Sequence, residues 1–229
     1  MKKAKKYVAA AKLIDSSKVY TIEEAAALLK KTSTTKFDST IDISFALNVN
    51  PTLADQLIRG TLVLPHGNGK TKKVLAITNG KQEEAKAAGA DFVGGKEMLE
   101  KIRVENWFGF DVIVATPDMM GELGKMGRLL GPKGLMPNPK TGTVTMAIGQ
   151  AVTEIKKGKI SYRVDKDGNL NISVARCSFE DAKIVDNLNA VCDAIVKSRP
   201  STVKGTFIKN AVVHTTMGPG IHVTFAGIN

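Results

Sequence analysis

Apolar and polar residues alternate over residues 41–49, and this is the clearest pattern in the chain. A period of two predicts a strand with one face on a core and the other in solvent, as in antiparallel sheets. The alternation returns after Gly158 in two runs separated by turn residues 165–169, which predicts a β-hairpin. A final pair of strands is predicted near residues 206–214 and 221–225.

The middle of the chain has a different pattern. Short continuous apolar runs, such as residues 74–78 and 112–115, alternate with helical stretches. This predicts parallel strands covered by helices on both faces. The expected fold class is therefore an α+β host domain, an antiparallel sheet with helices, with an inserted α/β Rossmann-like domain. We expect the host to comprise residues 1–67 and 160–229, the insert residues 68–159, and the two crossings between them to form a hinge.

Helix boundaries are also visible in the sequence. Thr21 and Glu24 form a capping box that predicts the start of a helix. Apolar residues on one face over residues 184–196 predict a long helix that Pro200 ends. A further helix is predicted near residues 118–130.

The net charge of the chain limits the functional classes to which it can belong. The 229-residue chain is 43% hydrophobic, as in ordinary globular proteins, but its net charge is +11. Such a charge favours a polyanionic partner, most often nucleic acid. Four lysines within residues 2–6 are candidates for phosphate contact, although an exposed tail would have the same composition. No apolar run has the length of a membrane span, and Cys177 and Cys192 are expected to be reduced thiols in a cytoplasmic protein.

No catalytic or metal-binding pattern is recognisable. The three histidines have no cysteine or carboxylate at ligand spacing beside them: His66, His214 and His222. Residues 67–71 end in the Gly-Lys-Thr of a phosphate-binding loop. Leu64 replaces the glycine that the motif requires, and a strand follows where a helix is needed. We therefore expect no catalytic residue, no metal site and no cofactor.

Residues 215–220 and 36–40 have the chemistry of an RNA contact. The first stretch predicts a tight turn that offers threonine hydroxyls, backbone N–H groups and the soft side chain of Met217. The second combines Lys36, Phe37 and two hydroxyls. RNA read by shape is contacted through its 2′-hydroxyls and phosphates, and an aromatic ring can stack on a base. The alternatives are a hairpin turn with a buried methionine and a core phenylalanine.

Residues 127–142 hold four glycines and three prolines, together with Arg128, Lys133 and Lys140. Glycine N–H groups and nearby cations favour phosphate binding. The alternative is a rigid crossover loop whose apolar residues pack into its own domain.

The sequence of residues 127–142 resembles the signature of the ribosomal protein L-one family, the proteins of the mobile stalk on the large ribosomal subunit. It reads Gly-Arg-Leu-Leu-Gly-Pro-Lys-Gly-Leu-Met-Pro-Asn-Pro-Lys-Thr-Gly. Residues 59–60, 64–67, 93–95 and 216–218 are also similar to family stretches, so the resemblance runs almost from end to end. Thr52-Leu53 departs from it, because family members often carry a basic pair there.

The resemblance implies a ribosome-associated, cytoplasmic protein that is not an enzyme. Its implied partners are large-subunit rRNA, exit-site tRNA, whose release it would assist, and its own mRNA leader, whose translation it would repress. It implies no membrane partner, and we expect a monomer when the protein is free. The residues expected to bind RNA lie in the host domain: Lys36, Phe37, Ser39, Thr40, Lys204, Thr206, His214, Thr215, Thr216, Met217, Gly218, Pro219 and Gly220. Arg128, Lys133 and Lys140 are expected secondary contacts.

Two other classes remain compatible with the sequence. One is an α/β enzyme acting on a phosphorylated substrate, which would need a convergent catalytic constellation. The other is a basic DNA-compacting protein, which would bind duplex DNA as tightly as structured RNA.

Overall fold

The alternating segment forms strand β1 (Thr40–Leu47), in which buried and half-buried residues alternate along its whole length. The structure is a computed structural model, and it describes residues 4–15 and 17–225. Lys2 and Lys3 of the predicted basic arm lie outside the described residues. None of the helices in the described ranges combines the length and apolar character needed to cross a membrane.

Eight α-helices and nine strands are present in the described residues, together with three short 3-10 helices. The strands are β1, β2 (Arg59–Val63), β3 (Val74–Ile77), β4 (Phe92–Gly94), β5 (Val112–Ala115), β6 (Lys159–Arg163), β7 (Asn169–Arg176), β8 (Ile208–Thr215) and β9 (Ile221–His222). The helices are α1 (Lys5–Ala11), α2 (Ile22–Thr32), α3 (Gln82–Ala87), α4 (Lys96–Glu105), α5 (Met120–Lys125), α6 (Gly127–Leu130), α7 (Ile148–Lys156) and α8 (Asp181–Lys197).

The chain separates into two compact units: one contains the described residues of Met1–Gly69 and Ile160–Asn229, and the other is Lys70–Lys159. The first unit is built on a four-stranded sheet in the order β7-β1-β8-β9, whose strand pairs are antiparallel. Helices α2 and α8 pack together and against this sheet, and their apolar faces form one core with β1, β7 and β8. The predicted antiparallel sheet with helices is therefore confirmed.

The predicted capping box is also present at the start of α2. The Glu24 backbone N–H donates to Thr21 Oγ1, and the Thr21 backbone N–H donates to Glu24 Oε2, each at 3.3 Å. These bonds satisfy two N–H groups that would otherwise lack a partner at a helix start.

The prediction of a hairpin over β6 and β7 is wrong. A tight turn joins these strands, but β6 pairs with β2 in a separate two-stranded sheet, while β7 pairs with β1. The turn itself is held by the end of β1, because the Leu47 N–H donates to the Gly168 carbonyl at 3.0 Å. The next residue after β6 also continues along the other sheet, since the Val164 N–H donates to the Ile58 carbonyl at 3.0 Å.

The second unit contains a parallel three-stranded sheet in the order β4-β3-β5, as the short apolar runs predict. Alternate residues of β3 enter different cores. Leu75 and Ile77 pack with residues of α4 and α5, whereas Val74 and Ala76 pack with residues of α3 and α7. Both faces of the sheet are therefore covered by helices, which explains why its strands are continuously apolar.

The predicted helix over residues 118–130 is broken in the structure. Pro117–Met119 forms a short 3-10 turn, α5 ends at Lys125, and the four-residue α6 follows Met126. Gly121, Gly124 and Gly127 fall in this segment. Glycine has low helix propensity, so a single continuous helix is disfavoured here.

Candidate nucleic-acid interface

Strands β1 and β8 bring the two predicted RNA-contact segments together. In their antiparallel register Ile41 lies opposite Thr215. The Thr40 backbone N–H donates to Thr216 Oγ1 at 3.0 Å, and the Thr216 N–H donates to the Thr40 carbonyl at 3.1 Å. These bonds join two segments that are 176 residues apart in the chain.

Two large apolar side chains are exposed beside this junction. Phe37 is 60% exposed and Met217 is 62% exposed, and both line one open groove together with Lys36. The alternatives of a core phenylalanine and a buried methionine are therefore wrong, although Met217 does lie in the turn between the antiparallel strands β8 and β9. An exposed aromatic ring and thioether next to a cation are typical of a binding surface. We call Lys36, Phe37, Thr40, Thr216 and Met217 the Phe37–Met217 surface.

Three of the predicted contact residues are buried next to the Phe37–Met217 surface in the sequence. Ser39, Thr215 and Pro219 are buried, so their side chains are not presented to a ligand, contrary to the sequence expectation. Ser39 Oγ lies 3.0 Å from both Ser33 Oγ and Cys177 Sγ. The hydroxyl of Ser39 therefore bonds within the protein and fixes the segment that carries Phe37.

Two glycines allow the turn after β8 to pack closely. The Gly218 N–H donates to the Thr215 carbonyl at 3.0 Å and closes the turn. A Cβ at Gly218 would overlap Thr215 Oγ1, and one at Gly220 would lie 2.7 Å from Val212 Cγ1. A larger residue at either position would require these neighbouring side chains or the turn to shift.

A second set of contacts holds the segment before β1, and sequence reasoning missed it. The Arg176 guanidinium donates to the Asp38 carbonyl at 3.0 Å. The Asp38 carboxylate accepts hydrogen bonds from the Ser178 backbone N–H at 3.0 Å and from its hydroxyl at 2.9 Å. Nothing in the local sequence around Asp38 indicates partners 140 residues away.

His214 lies next to the Phe37–Met217 surface but is half-buried. Its ring Nε2 is 3.4 Å from Ser44 Oγ, and its Nδ1 is 3.3 Å from the Thr215 carbonyl oxygen. It stands opposite Asp42 in the β1–β8 register, on the sheet face that carries the half-buried residues of β1. Both ring nitrogens therefore lie near partners within the protein, so the ring contributes to the packing at the end of β8.

Lys204 and Thr206 are exposed but are not part of this surface. Both precede β8, whereas the turn with Thr216 and Met217 follows it. An eight-residue strand spans roughly 26 Å at about 3.3 Å per residue. The structure therefore does not bring these two predicted residues together with the other members of the site.

The Gly/Pro stretch packs largely into its own unit. Leu130 is fully buried, and Leu135 and Met136 pack against the same core. The N–H groups of Gly131, Gly134 and Gly142 donate to carbonyls within the stretch at 2.9–3.0 Å. These amides close turns and are not offered to a phosphate, which is the arrangement of the crossover-loop alternative.

The cations of this stretch are nevertheless exposed. Arg128, Lys133 and Lys140 all lie at the surface of the second unit. The Lys133 ammonium is 4.2 Å from the centroid of the Phe108 ring, a cation–π contact. Lys133 therefore also has a partner within its own unit, and secondary RNA contact by these three cations stays a prediction.

The two remaining sequence patterns concern metal and nucleotide binding. Within residues 4–15 and 17–225 no group of His, Cys, Asp and Glu side chains is arranged to hold a metal ion. The Gly-Lys-Thr stretch leads into β3 and does not open a helix, so it lacks the geometry of an NTPase loop.

Comparison with known protein families gives a match over residues 29–219 to the family described as the ribosomal protein L1p/L10e family. The match covers most of the chain and includes both segments of the Phe37–Met217 surface. The chain belongs to the ribosomal protein L1p/L10e family. Members of this L1 family are structural, RNA-binding proteins and not enzymes. The protein is therefore a large-subunit ribosomal protein that binds rRNA. The resemblance of the sequence to the L-one family is thus confirmed.

L1-family membership explains the surplus of basic residues without locating the interface. The candidate interface is the Phe37–Met217 surface, where the ends of β1 and β8 adjoin. Among the predicted contact residues of the first unit, this is the one place where exposed apolar, hydroxyl and cationic groups come together.

Proposed function

We propose that the Phe37–Met217 surface is the principal rRNA contact of this protein and that its target is the stalk region of large-subunit rRNA. The observation that supports this most is the joint exposure of Phe37 and Met217 beside two bonded threonines. The ring of Phe37 can stack on a base or ribose, and the threonine hydroxyls can bond 2′-hydroxyl groups. Lys36 adds attraction to phosphate.

The test is filter binding of a stalk rRNA fragment to the wild type and to Phe37→Ala and Met217→Ala, across a salt series. Loss of a stacking side chain costs about 1–3 kcal/mol, so we expect about 5- to 150-fold weaker binding for Phe37→Ala. Leu53→Ala is the matched control, because Leu53 is 50% exposed in the same unit but lies outside the surface. It should bind like the wild type.

Two further measurements in the same assay, with duplex DNA and with the leader of the protein's own mRNA, separate the alternatives. Duplex DNA of equal length should bind more weakly than the rRNA fragment, whereas equal and strongly salt-dependent binding would indicate a generic polyanion-binding protein. If both alanine variants bind like the wild type, the interface lies elsewhere. The RNA leader of the protein's own message should compete with the rRNA fragment for the same surface if the protein represses its own translation.

We also propose that the protein forms the mobile stalk beside the exit site and helps to release deacylated tRNA, with the second unit moving relative to the first. Each chain crossing is anchored within one unit. Asn187 holds Gly67 in the first unit, and the Lys72 ammonium donates to the Lys159 carbonyl at 2.7 Å in the second. Gly69 and Gly158 have φ values of 71° and 98°, which favour glycine.

If the crossings act as a hinge, solution scattering should give a distribution of inter-unit distances that changes when the stalk RNA and tRNA are added. A single unchanged distance distribution would contradict the swing. The free protein should scatter as a monomer over the concentration range of the experiment.

A further inference from the structure

The groove that contains Phe37 and Met217 is also lined by residues of the N-terminal helix α1. Lys6 and Tyr7 of α1 line it, as do Thr34 and Thr35, and its volume is about 640 Å³. Helix α1 packs against α2, and residues 33–39 follow α2 directly. Helix α1 precedes the residues that match the family, so this wall of the groove lies outside the matched part of the chain.

We propose that this groove holds one unstacked base of the bound RNA, with Tyr7 and Phe37 as its stacking surfaces. The inference rests on the proposed function, because Phe37, Lys36 and Met217 belong both to the groove and to the Phe37–Met217 surface. Beyond the proposed function, it states that a single unpaired nucleobase binds in the groove and that helix α1 takes part in the RNA contact.

The chemistry of the lining fits a nucleobase. Two aromatic rings and a thioether supply apolar, polarisable surfaces, which bind flat bases without regard to sequence. Thr34 and Thr35 place hydroxyl groups in the lining, and hydroxyls can bond the polar edge of a base. The Thr35 hydroxyl already donates to the Phe37 carbonyl at 3.0 Å, which leaves its lone pairs as acceptors.

Charge indicates which partner occupies the groove. Lys6 and Lys36 stand among the lining residues, which include no carboxylate in the part of the chain that the structure describes. A base carries its own phosphates on both sides, and these can lie against the two ammonium groups. An apolar peptide or lipid tail would leave both lysines without such partners, so the lining favours a nucleotide.

Helix α1 is short and buries little of its surface. It has seven residues, and among its described side chains only Ala10 is buried. Helices this short are marginal without tertiary packing. A base stacked on Tyr7 would add packing on the groove side of α1, so RNA binding should protect the amides of this helix from hydrogen exchange.

The test uses the full chain and a stalk rRNA fragment with 2-aminopurine placed at each unpaired position in turn. At one position, the fluorescence is expected to change on binding to the wild type. Tyr7→Leu should weaken binding about 10-fold and abolish that change, whereas Tyr7→Phe should retain both. Lys6→Gln should reduce the slope of log affinity against log salt by about 0.7–0.9, as expected for one lost phosphate contact.

Lys12→Gln is the matched control for Lys6→Gln, because Lys12 is exposed at the end of the same helix and does not line the groove. It should bind like the wild type. Far-UV circular dichroism checks that each variant is folded, and Lys6→Gln tests the groove even if Tyr7→Leu perturbs α1.

The possible results separate this inference from the proposed function. If Phe37→Ala and Met217→Ala lose affinity but Tyr7→Leu and Lys6→Gln do not, the rRNA surface stands and the base-binding groove is overturned. The groove is also overturned if no 2-aminopurine position responds, or if α1 exchanges equally fast with and without RNA. If Phe37→Ala and Met217→Ala bind like the wild type, the proposed function itself fails.

Discussion

Replacing Asn187 with leucine is expected to lower the free energy of unfolding of the first unit by about 2–4 kcal/mol. Asn187 is fully buried on α8 and bonds three backbone groups. Its amide Nδ2 donates to the carbonyls of Gly67 at 2.8 Å and Val174 at 3.0 Å, and its Oδ1 accepts from the His66 N–H at 3.2 Å. Leucine fills a similar volume but cannot make these bonds. The Val174 carbonyl is left buried without this partner, which costs about 1–3 kcal/mol, and the groups of His66 and Gly67 cost less because they are only partly buried.

Urea unfolding followed by far-UV circular dichroism, together with hydrogen exchange of the α8 amides, measures this loss. Asn189→Leu is the matched control, since Asn189 is exposed on the same helix and its replacement should change stability by less than about 0.5 kcal/mol. Trp107, the only tryptophan, lies in the second unit, so its fluorescence reports on that unit separately. Equal stability of the two variants would show that the Asn187 bonds contribute little.

The same substitution has a second expected consequence. Asn187 holds the backbone of His66 and Gly67 just before the first crossing between the units. Freeing this segment should increase hydrogen exchange of the amides of residues 64–69 at concentrations of urea far below the unfolding transition. The exchange of β3 amides serves as the internal reference.

The thiol of Cys192 is expected to react with alkylating reagents at least about 1,000-fold more slowly in the folded protein than in urea at pH 8. Cys192 is 2% exposed in the core between α8 and the sheet. Burial, with a smaller effect of the neighbouring Asp193 carboxylate, raises the pKa of Cys192 to about 12. The thiolate is the reactive species, so its fraction at pH 8 falls by roughly three orders of magnitude relative to an ordinary thiol.

Mass spectrometry of a Cys177→Ser variant isolates the reaction of Cys192, because these are the two cysteines of the chain. The raised pKa also sets the sign of the pH dependence. The contribution of this group to stability is complete below the ordinary thiol pKa near 9 and is lost as pH rises from there towards 12. Rapid modification under native conditions would show that α8 opens far more often than its burial implies.

Much of the fold could be predicted from the local periodicity of apolar residues. The alternation over residues 41–49 predicted β1 and its burial, because side chains of a strand point to opposite faces in turn. Continuous apolar runs predicted the parallel sheet, because both faces of such a sheet are covered. The capping box at Thr21 depends on residues only three apart, so sequence alone was sufficient.

Which strands pair with one another could not be predicted from local sequence patterns. The sequence places β6 and β7 on either side of a tight turn, which is equally compatible with a hairpin and with two strands in different sheets. In the folded protein β7 pairs with β1, which is a longer partner than β6, and β6 pairs with β2. Such pairing depends on distant segments, and no short window of sequence contains that information.

The amino-acid sequence by itself determined the element types, the basic character and the family resemblance, since each depends on neighbouring residues or on a contiguous motif. Only the tertiary structure decided which predicted contact residues share a surface. It exposed Phe37 and Met217 together, buried Ser39 beneath them and put Lys204 beyond the other end of β8. The physical reason is that exposure and proximity are set by sheet register and core packing, which join residues as far apart as Thr40 and Thr216.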